Sequence, residues 1–199
     1  ARIWFTRVVN DDVSIYARLR NTGNSNAGMG NNGVMWQYFW ADVKLGWDVT
    51  MRMGKMGLDW EADAKLYHGS ENDGIVLADT TINGVRFTRP FGMGDFTLFA
   101  GMDDGDGVGT TDVKAYGARL NFNFNEQFRL AGNYYKRDAE NEALTADAQW
   151  YWADMTFAFN PNISFKGMYV WQDRETATAI GDDANAFKAI LDVKQDALK

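Results

Sequence analysis

The chain has 199 residues, of which 15% are aromatic, and contains no cysteine, so disulfide bridges and thiolate metal sites are excluded. Its formal net charge of −7 argues against nucleic-acid binding, which needs a basic surface. The sequence has no run of about 18 apolar residues, as a transmembrane helix would require, but strands that cross a membrane need no such run.

The predicted elements are β-strands from one end of the chain to the other. Successive side chains of a strand point to opposite faces, so apolar residues at every second position indicate strands. The first six predicted strands span 2–9, 13–21, 37–46, 48–56, 83–90 and 95–103. The other five span 113–124, 127–137, 149–159, 163–173 and 186–195.

The alternation is clearest between residues 113 and 137. There Leu120 and Phe122 share one face of a strand, and Arg119 and Asn121 share the other. The short polar joint NEQ links this strand to the next, which predicts a hairpin. The pattern leaves open which face is buried, because a soluble sheet hides its apolar face in a core and a membrane barrel turns it towards lipid.

The connections between the predicted strands alternate between short and long. The short ones are 10–12, 46–48, 91–94, 125–126 and 160–162, and the long ones are 22–36, 57–82, 104–112, 138–148 and 174–185. Membrane barrels show this alternation, with tight turns on the periplasmic side and long loops outside. The sequence therefore predicts an all-β fold, one antiparallel transmembrane β-barrel domain over residues 1–199. The alternative is a soluble β-sandwich or barrel.

Two stretches resemble the general diffusion porins of Gram-negative outer membranes. One runs from VTMRMGKMGLDW through an acidic segment to NGVRFTRPFGMGDFTLFAGMDD, and the other is GARLNFNFNEQFRLAGNYYKR. The resemblance implies a barrel of about 16 strands in the bacterial outer membrane, of which about eleven are present in this partial chain. One strand would precede them and about four would follow.

The same resemblance implies a function. It implies a passive channel for small hydrophilic solutes and ions, without catalysis and without a cofactor, that forms a homotrimer in outer-membrane lipid and lipopolysaccharide. It also implies that residues 57–82 form a constriction loop, which folds into the barrel and narrows the pore. The alternatives are an outer-membrane barrel enzyme, such as a protease or phospholipase, and a soluble all-β binding protein.

Many basic residues share the polar faces of the predicted strands. If the apolar faces contact lipid, these residues line the water-filled pore, where fixed charges focus the field on passing ions. The predicted pore-lining basic residues are Arg18, Arg20, Lys44, Arg52, Arg86, Arg119 and Arg129. We expect only three acids on the same faces, namely Asp42, Asp154 and Asp192. The alternative for any single basic residue is a solvated side chain with no specific role.

The predicted constriction loop is acidic and exceeds the ~12–15 residues usual for structureless connections, which favours a functional loop. Its acids are Glu61, Asp63, Glu71, Asp73 and Asp79. They are expected to face a basic wall formed by Arg18, Arg20, Arg52 and Arg86, which would create a field across the pore. The alternative is an ordinary solvated outer loop.

Other candidate sites are weaker. The only histidine, His68, lies near Ser70, but closeness in sequence does not establish the contacts that a nucleophile and its base require. The segment 103–112 resembles a calcium loop, yet its twelfth position from Asp104 is an alanine where a bidentate glutamate belongs. No metal site is therefore predicted. A loose surface site at Asp103, Asp104 and Asp106 is the alternative to an acidic turn.

Aromatic residues concentrate near the ends of the predicted strands, as in the aromatic girdles of membrane barrels. Three tryptophans instead share the polar faces: Trp40, Trp150 and Trp152. Aromatic rings inside a pore offer stacking surfaces for sugars, and this is the alternative to the girdle interpretation.

Overall fold

The computed structural model describes residues 2–21, 34–58, 81–103, 113–139, 147–175 and 184–194. These residues form one antiparallel sheet of eleven strands: β1 (Arg2–Val8), β2 (Val13–Asn21), β3 (Val34–Lys44), β4 (Thr50–Gly57), β5 (Thr81–Phe91), β6 (Gly94–Asp103), β7 (Val113–Asn123), β8 (Phe128–Ala139), β9 (Asp147–Asn160), β10 (Ile163–Glu175) and β11 (Ala184–Val193). Each strand pairs with its neighbours in the chain, so sheet order follows chain order. In this part of the chain, no helix has the length and apolar character needed to cross a membrane.

Every predicted strand is present, and its bounds differ from the prediction by at most three residues. The clearest difference lies between β3 and β4, where the turn includes residues that the alternation had assigned to strands. Trp47 and Asp48 have φ angles of 61° and 60°, the two positive values of a type I′ turn. Aspartate is common in such turns but tryptophan is not, so only the second of these two positions carried a standard turn signal.

Three of the short turns share one motif, which the sequence analysis missed. The side-chain oxygen of Asn10 accepts hydrogen bonds from the backbone N–H groups of Asp12 and Val13, at 2.9 and 2.8 Å. Asn125 and Asn160 accept the equivalent pairs of bonds in their own turns. Asparagine commonly stabilises turns in this way. The repeated pattern is visible in the sequence as NDDV, NEQF and NPNI.

The two faces of the sheet are inverted relative to a soluble protein. One face, called here the outer face, exposes large apolar side chains such as Leu98 (44%) and Phe187 (76%). The other, called the inner face, buries polar ones such as Arg119 (6%) and Asp154 (1%). Charged side chains are rarely buried unless paired, and a large exposed apolar face marks contact with a protein or a membrane. An apolar exterior around a polar interior is the arrangement of a membrane barrel.

Part of the inner face is apolar, which differs from the polar lining that the sequence analysis expected. A cluster of buried side chains lies there: Met56, Leu58, Ile82, Phe99, Ala115, Tyr135, Trp152, Met168 and Val170. Trp40 and Trp150 pack against this cluster. The alternation placed all three of these tryptophans on this face, but it did not predict that they join one apolar cluster.

We expect an arginine in place of Leu98, which lies midway along β6 on the outer face, to destabilise the barrel. A basic side chain facing lipid near the midplane costs about 2–4 kcal/mol, because its charge loses water. The free energy of unfolding should therefore fall by about that amount. Urea titration of the full-length protein in lipid vesicles measures it.

The matched control is Met93→Arg, because Met93 lies in the β5–β6 turn and is 53% exposed. The same change near the interface should cost about 0–1 kcal/mol. Equal losses in the two variants would contradict the assignment of the outer face to lipid.

Candidate functional site

Strand pairing brings charged residues of the inner face side by side. Arg52 on β4 lies directly opposite Asp42 on β3 and Arg86 on β5. Farther along the sheet, Arg119 on β7 lies opposite Asn133 on β8. Side chains directly opposite one another in an antiparallel sheet share a face and are about 4.5–5.5 Å apart at Cβ. The register thus places charged or polar side chains from five strands on one wall.

Arg52 is held by a carboxylate and by an aromatic ring. Its Nε and Nη2 atoms donate to the two carboxylate oxygens of Asp42 at 2.6 and 2.9 Å. Its guanidinium carbon lies 4.4 Å from the ring centre of Trp40, which stacks on Tyr16. A two-bond pair of this kind fixes the orientation of both groups. Arg52 therefore presents a positioned charge that Asp42 largely balances.

The buried carboxylate of Asp154 joins two arginines and an asparagine. Its Oδ1 accepts from Arg129 Nη2 at 2.9 Å, and its Oδ2 accepts from Arg119 Nη1 at 3.2 Å and Asn133 Nδ2 at 3.0 Å. Arg119 Nη1 also donates to Asn133 Oδ1 at 2.6 Å. The side chain of Asp154 has no exposed surface, and these charge-assisted bonds compensate for its lost water.

The inner face carries more acids than the sequence analysis predicted. Asp192 lies on the inner face, as predicted, and its carboxylate is 2.8 Å from the amine of Lys166. The prediction that Asp42, Asp154 and Asp192 are the only acids on this face is nevertheless wrong, because β6 contributes two more. Asp95 accepts a hydrogen bond from Asn121 at 3.0 Å, and Asp103 lies 2.9 Å from Arg137. Counting alternate positions back and forward from Thr97 would have found both. The wall is therefore closer to charge balance than expected.

The other predicted basic residues lie at different places on the wall. The guanidinium of Arg18 lies over the ring of Tyr38 at 4.1 Å. Arg20 is opposite Arg2, on the pair of strands at one edge of the described sheet. Lys44 is at the end of β3, and its amine donates to the backbone oxygen of Asp11 at 2.7 Å. Lys44 therefore belongs to the turn edge and not to the middle of the wall.

Several predicted residues lie outside the described part of the chain. These are the loop acids Glu61, Asp63, Glu71, Asp73 and Asp79, together with His68, Ser70, Asp104 and Asp106. Asp103, the described member of the alternative calcium site, is in an ion pair with Arg137. Within the described ranges, no group of three or more His, Cys, Asp or Glu side chains is arranged to hold a metal ion.

A cavity of about 390 Å³ lies on the inner face, across β5 to β8. Its polar lining includes Arg86, Asp95, Thr97, Arg119, Asn121 and Arg129. Leu58, Pro90 and Phe99 form its apolar lining. The three arginines are among the residues predicted from the sequence, but the cavity is not, because it depends on the register of four strands.

The fold resembles that of a solved outer-membrane protein. OmpT, an outer membrane protein of Vibrio cholerae folded in vitro, matches 95% of this chain with a TM-score of 0.50 at 15% sequence identity. This chain spans 59% of the length of that protein. The similarity confirms the predicted all-β fold of the membrane-barrel type.

A second solved structure is less similar to this chain. A trimer form of OmpT from Vibrio cholerae matches 98% of this chain and 86% of its own at 12% identity, with a TM-score of only 0.31. No protein-family model matches this sequence, and the comparison with curated proteins gives no match.

We expect the Asp154→Asn variant to lose stability, because Arg119 and Arg129 would lose the negative charge that they share. Removing one partner of a buried ion pair costs about 3–5 kcal/mol. The control is Asp192→Asn, whose side chain is 24% exposed and which should cost about 1 kcal/mol or less. Urea unfolding in vesicles measures both losses. An Asp154→Asn loss no greater than that of the control would show that the network does not stabilise the wall.

Proposed function

We propose that the chain forms part of a porin, a passive diffusion channel for small hydrophilic solutes and ions across the outer membrane. The observation that carries this proposal is the inner face, where ion pairs hold several arginines in place within an outer-membrane barrel fold. Such a face suits contact with water and ions, and the exposed apolar outer face suits contact with lipid. The resemblance of two stretches of the sequence to general diffusion porins supports the same function.

Arginine side chains that are already held in place do not have to be ordered when a solute arrives. Asp42 fixes Arg52, and Asp154 fixes both Arg119 and Arg129. In a narrow channel with low-dielectric walls, fixed charges raise the local concentration of counter-ions. The ion selectivity would therefore depend on how many more arginines than carboxylates the wall carries.

The proposal includes a constriction and an assembly. We infer that the segment between β4 and β5, within the predicted range 57–82, forms the constriction; the length of the segment and the resemblance to porins support this. The same resemblance supports a homotrimer surrounded by outer-membrane lipid and lipopolysaccharide. Neither catalysis nor a cofactor is part of this proposal.

Reconstitution of the full-length protein into planar bilayers tests the channel and its constriction. Deletion of part of 63–77 should raise the single-channel conductance, because the narrowest part of the pore would widen. Urea unfolding of the same variant serves as the control for a folded barrel. A folded wild-type barrel without conductance would overturn the channel, and unchanged conductance in a folded deletion variant would overturn the constriction.

Charge substitutions test the pore-lining role of Arg52 and Arg86. Replacing both with glutamine should shift selectivity towards cations, because two positive charges are lost and Asp42 is left unbalanced. Neutralising Glu71 and Asp73 should shift selectivity towards anions. Both shifts should shrink at 1 M salt, where the screening length falls from ~8–10 Å to ~3 Å. Reversal potentials across a salt gradient measure the selectivity.

The matched control is the double variant Arg52→Gln with Asp42→Asn. It removes the ion pair and leaves the net charge of the wall unchanged, so the reversal potential should stay close to that of the wild type. Unchanged reversal potentials at low salt in every variant would place these residues outside the constriction.

A further inference from the structure

The cavity on the inner face has the features of a built binding site. Its volume of about 390 Å³ falls within the ~300–1,000 Å³ range of small-molecule sites. It also combines an apolar wall with a few polar groups that point to one place, as such sites do. We propose that it binds small organic monoanions that carry a hydroxyl or amine and an apolar group. This proposal rests on the channel function and names the class of solute that would bind transiently in the cavity during passage.

Charge favours a single negative charge on the ligand. Arg86, Arg119 and Arg129 line the cavity together with Asp95. Asp154 lies behind this lining and is bonded to both Arg119 and Arg129. Three guanidinium groups against two carboxylates leave an excess of one positive charge. A carboxylate is the natural ligand for such a set, because guanidinium groups match its geometry.

Asn121 favours a ligand that also donates a hydrogen bond. Its side-chain nitrogen donates to Asp95 at 3.0 Å, so its orientation is fixed. Its side-chain oxygen is buried and has no hydrogen-bond partner among the described residues. Leaving a buried acceptor unpaired is unfavourable, so a hydrogen bond from a ligand hydroxyl or amine would stabilise the complex. The nearby hydroxyl groups of Thr88 and Thr97 bond each other at 3.1 Å.

Phe99 supplies the apolar side of the site and has little freedom to move. Its ring lies over Gly117 on the neighbouring strand, where a Cβ atom would overlap the ring. The ring also stacks with Tyr135, which pairs with Gly117 on the next strand, at 5.9 Å between centres. Leu58, only 3% exposed, lies on the same cavity. An aromatic or aliphatic group of the ligand would pack here.

Calorimetry on the full-length protein in detergent tests the site with 3-phenyllactate, which has a carboxylate, a hydroxyl group and a phenyl ring. We expect saturable binding. Two related compounds separate the contributions: 3-phenylpropionate lacks the hydroxyl group, and 3-phenyllactamide lacks the charge. Each should bind at least fivefold more weakly than 3-phenyllactate. Because these comparisons use the wild-type protein, they do not depend on the folding of any variant.

Variants then locate the site. Arg129→Gln should weaken 3-phenyllactate binding at least tenfold, and Lys166→Gln, which removes an inner-face charge away from the cavity, should change it less than twofold. In Asn121→Leu the preference for 3-phenyllactate over 3-phenylpropionate should disappear, since the acceptor for the hydroxyl group is gone.

Three results would overturn the site. They are absence of saturable binding, equal binding of all three compounds, and equal weakening by Arg129→Gln and Lys166→Gln, which would indicate general attraction to the wall. Conductance without binding would overturn only this inference. Binding without conductance would support the site and overturn the proposed channel.

Discussion

Backbone hydrogen bonding is the constraint on which the rest of this structure depends. Within lipid no water is available to an unpaired N–H or C=O group, so a spanning sheet must satisfy its backbone through neighbouring strands. The eleven strands do this in the simplest order, each pairing with the strands before and after it in the chain. The sheet then has two faces, because successive side chains of each strand point alternately towards lipid and towards the interior.

The second constraint acts on the inner face, where like charges lie close together. Arginines from several strands meet on one wall, and directly opposite like charges repel, as Arg52 and Arg86 must. Carboxylates on adjacent strands relieve this repulsion, with Asp42 beside Arg52 and Asp154 between Arg119 and Arg129. Several arginines of the wall are thus held in one arrangement by neighbouring carboxylates, although basic residues still outnumber acids on the inner face.

Most of the fold follows from the sequence, and less of the site does. Strand alternation predicted the strands and the face on which Arg119 and Asp154 lie, because that period directly reflects strand geometry. It did not reveal that these two residues form an ion pair, because pairing depends on the relative register of β7, β8 and β9. The turn at 46–48 was predicted, but it is wider than expected, because β3 ends at Lys44 and β4 begins only at Thr50. The acids of 57–82 stay a prediction, because they lie outside the described residues.

The repeated asparagine turn has a consequence for how such a wall changes over evolutionary time. Each turn built on Asn10, Asn125 or Asn160 closes a hairpin through bonds within four consecutive residues. The turn therefore sets the register of its two strands locally, without contacts from distant strands. Insertion of one hairpin replaces a single line of interstrand bonds with two, and loss of one replaces two such lines with one. A gene can then widen or narrow its barrel in steps of two strands and preserve the alternation of faces throughout.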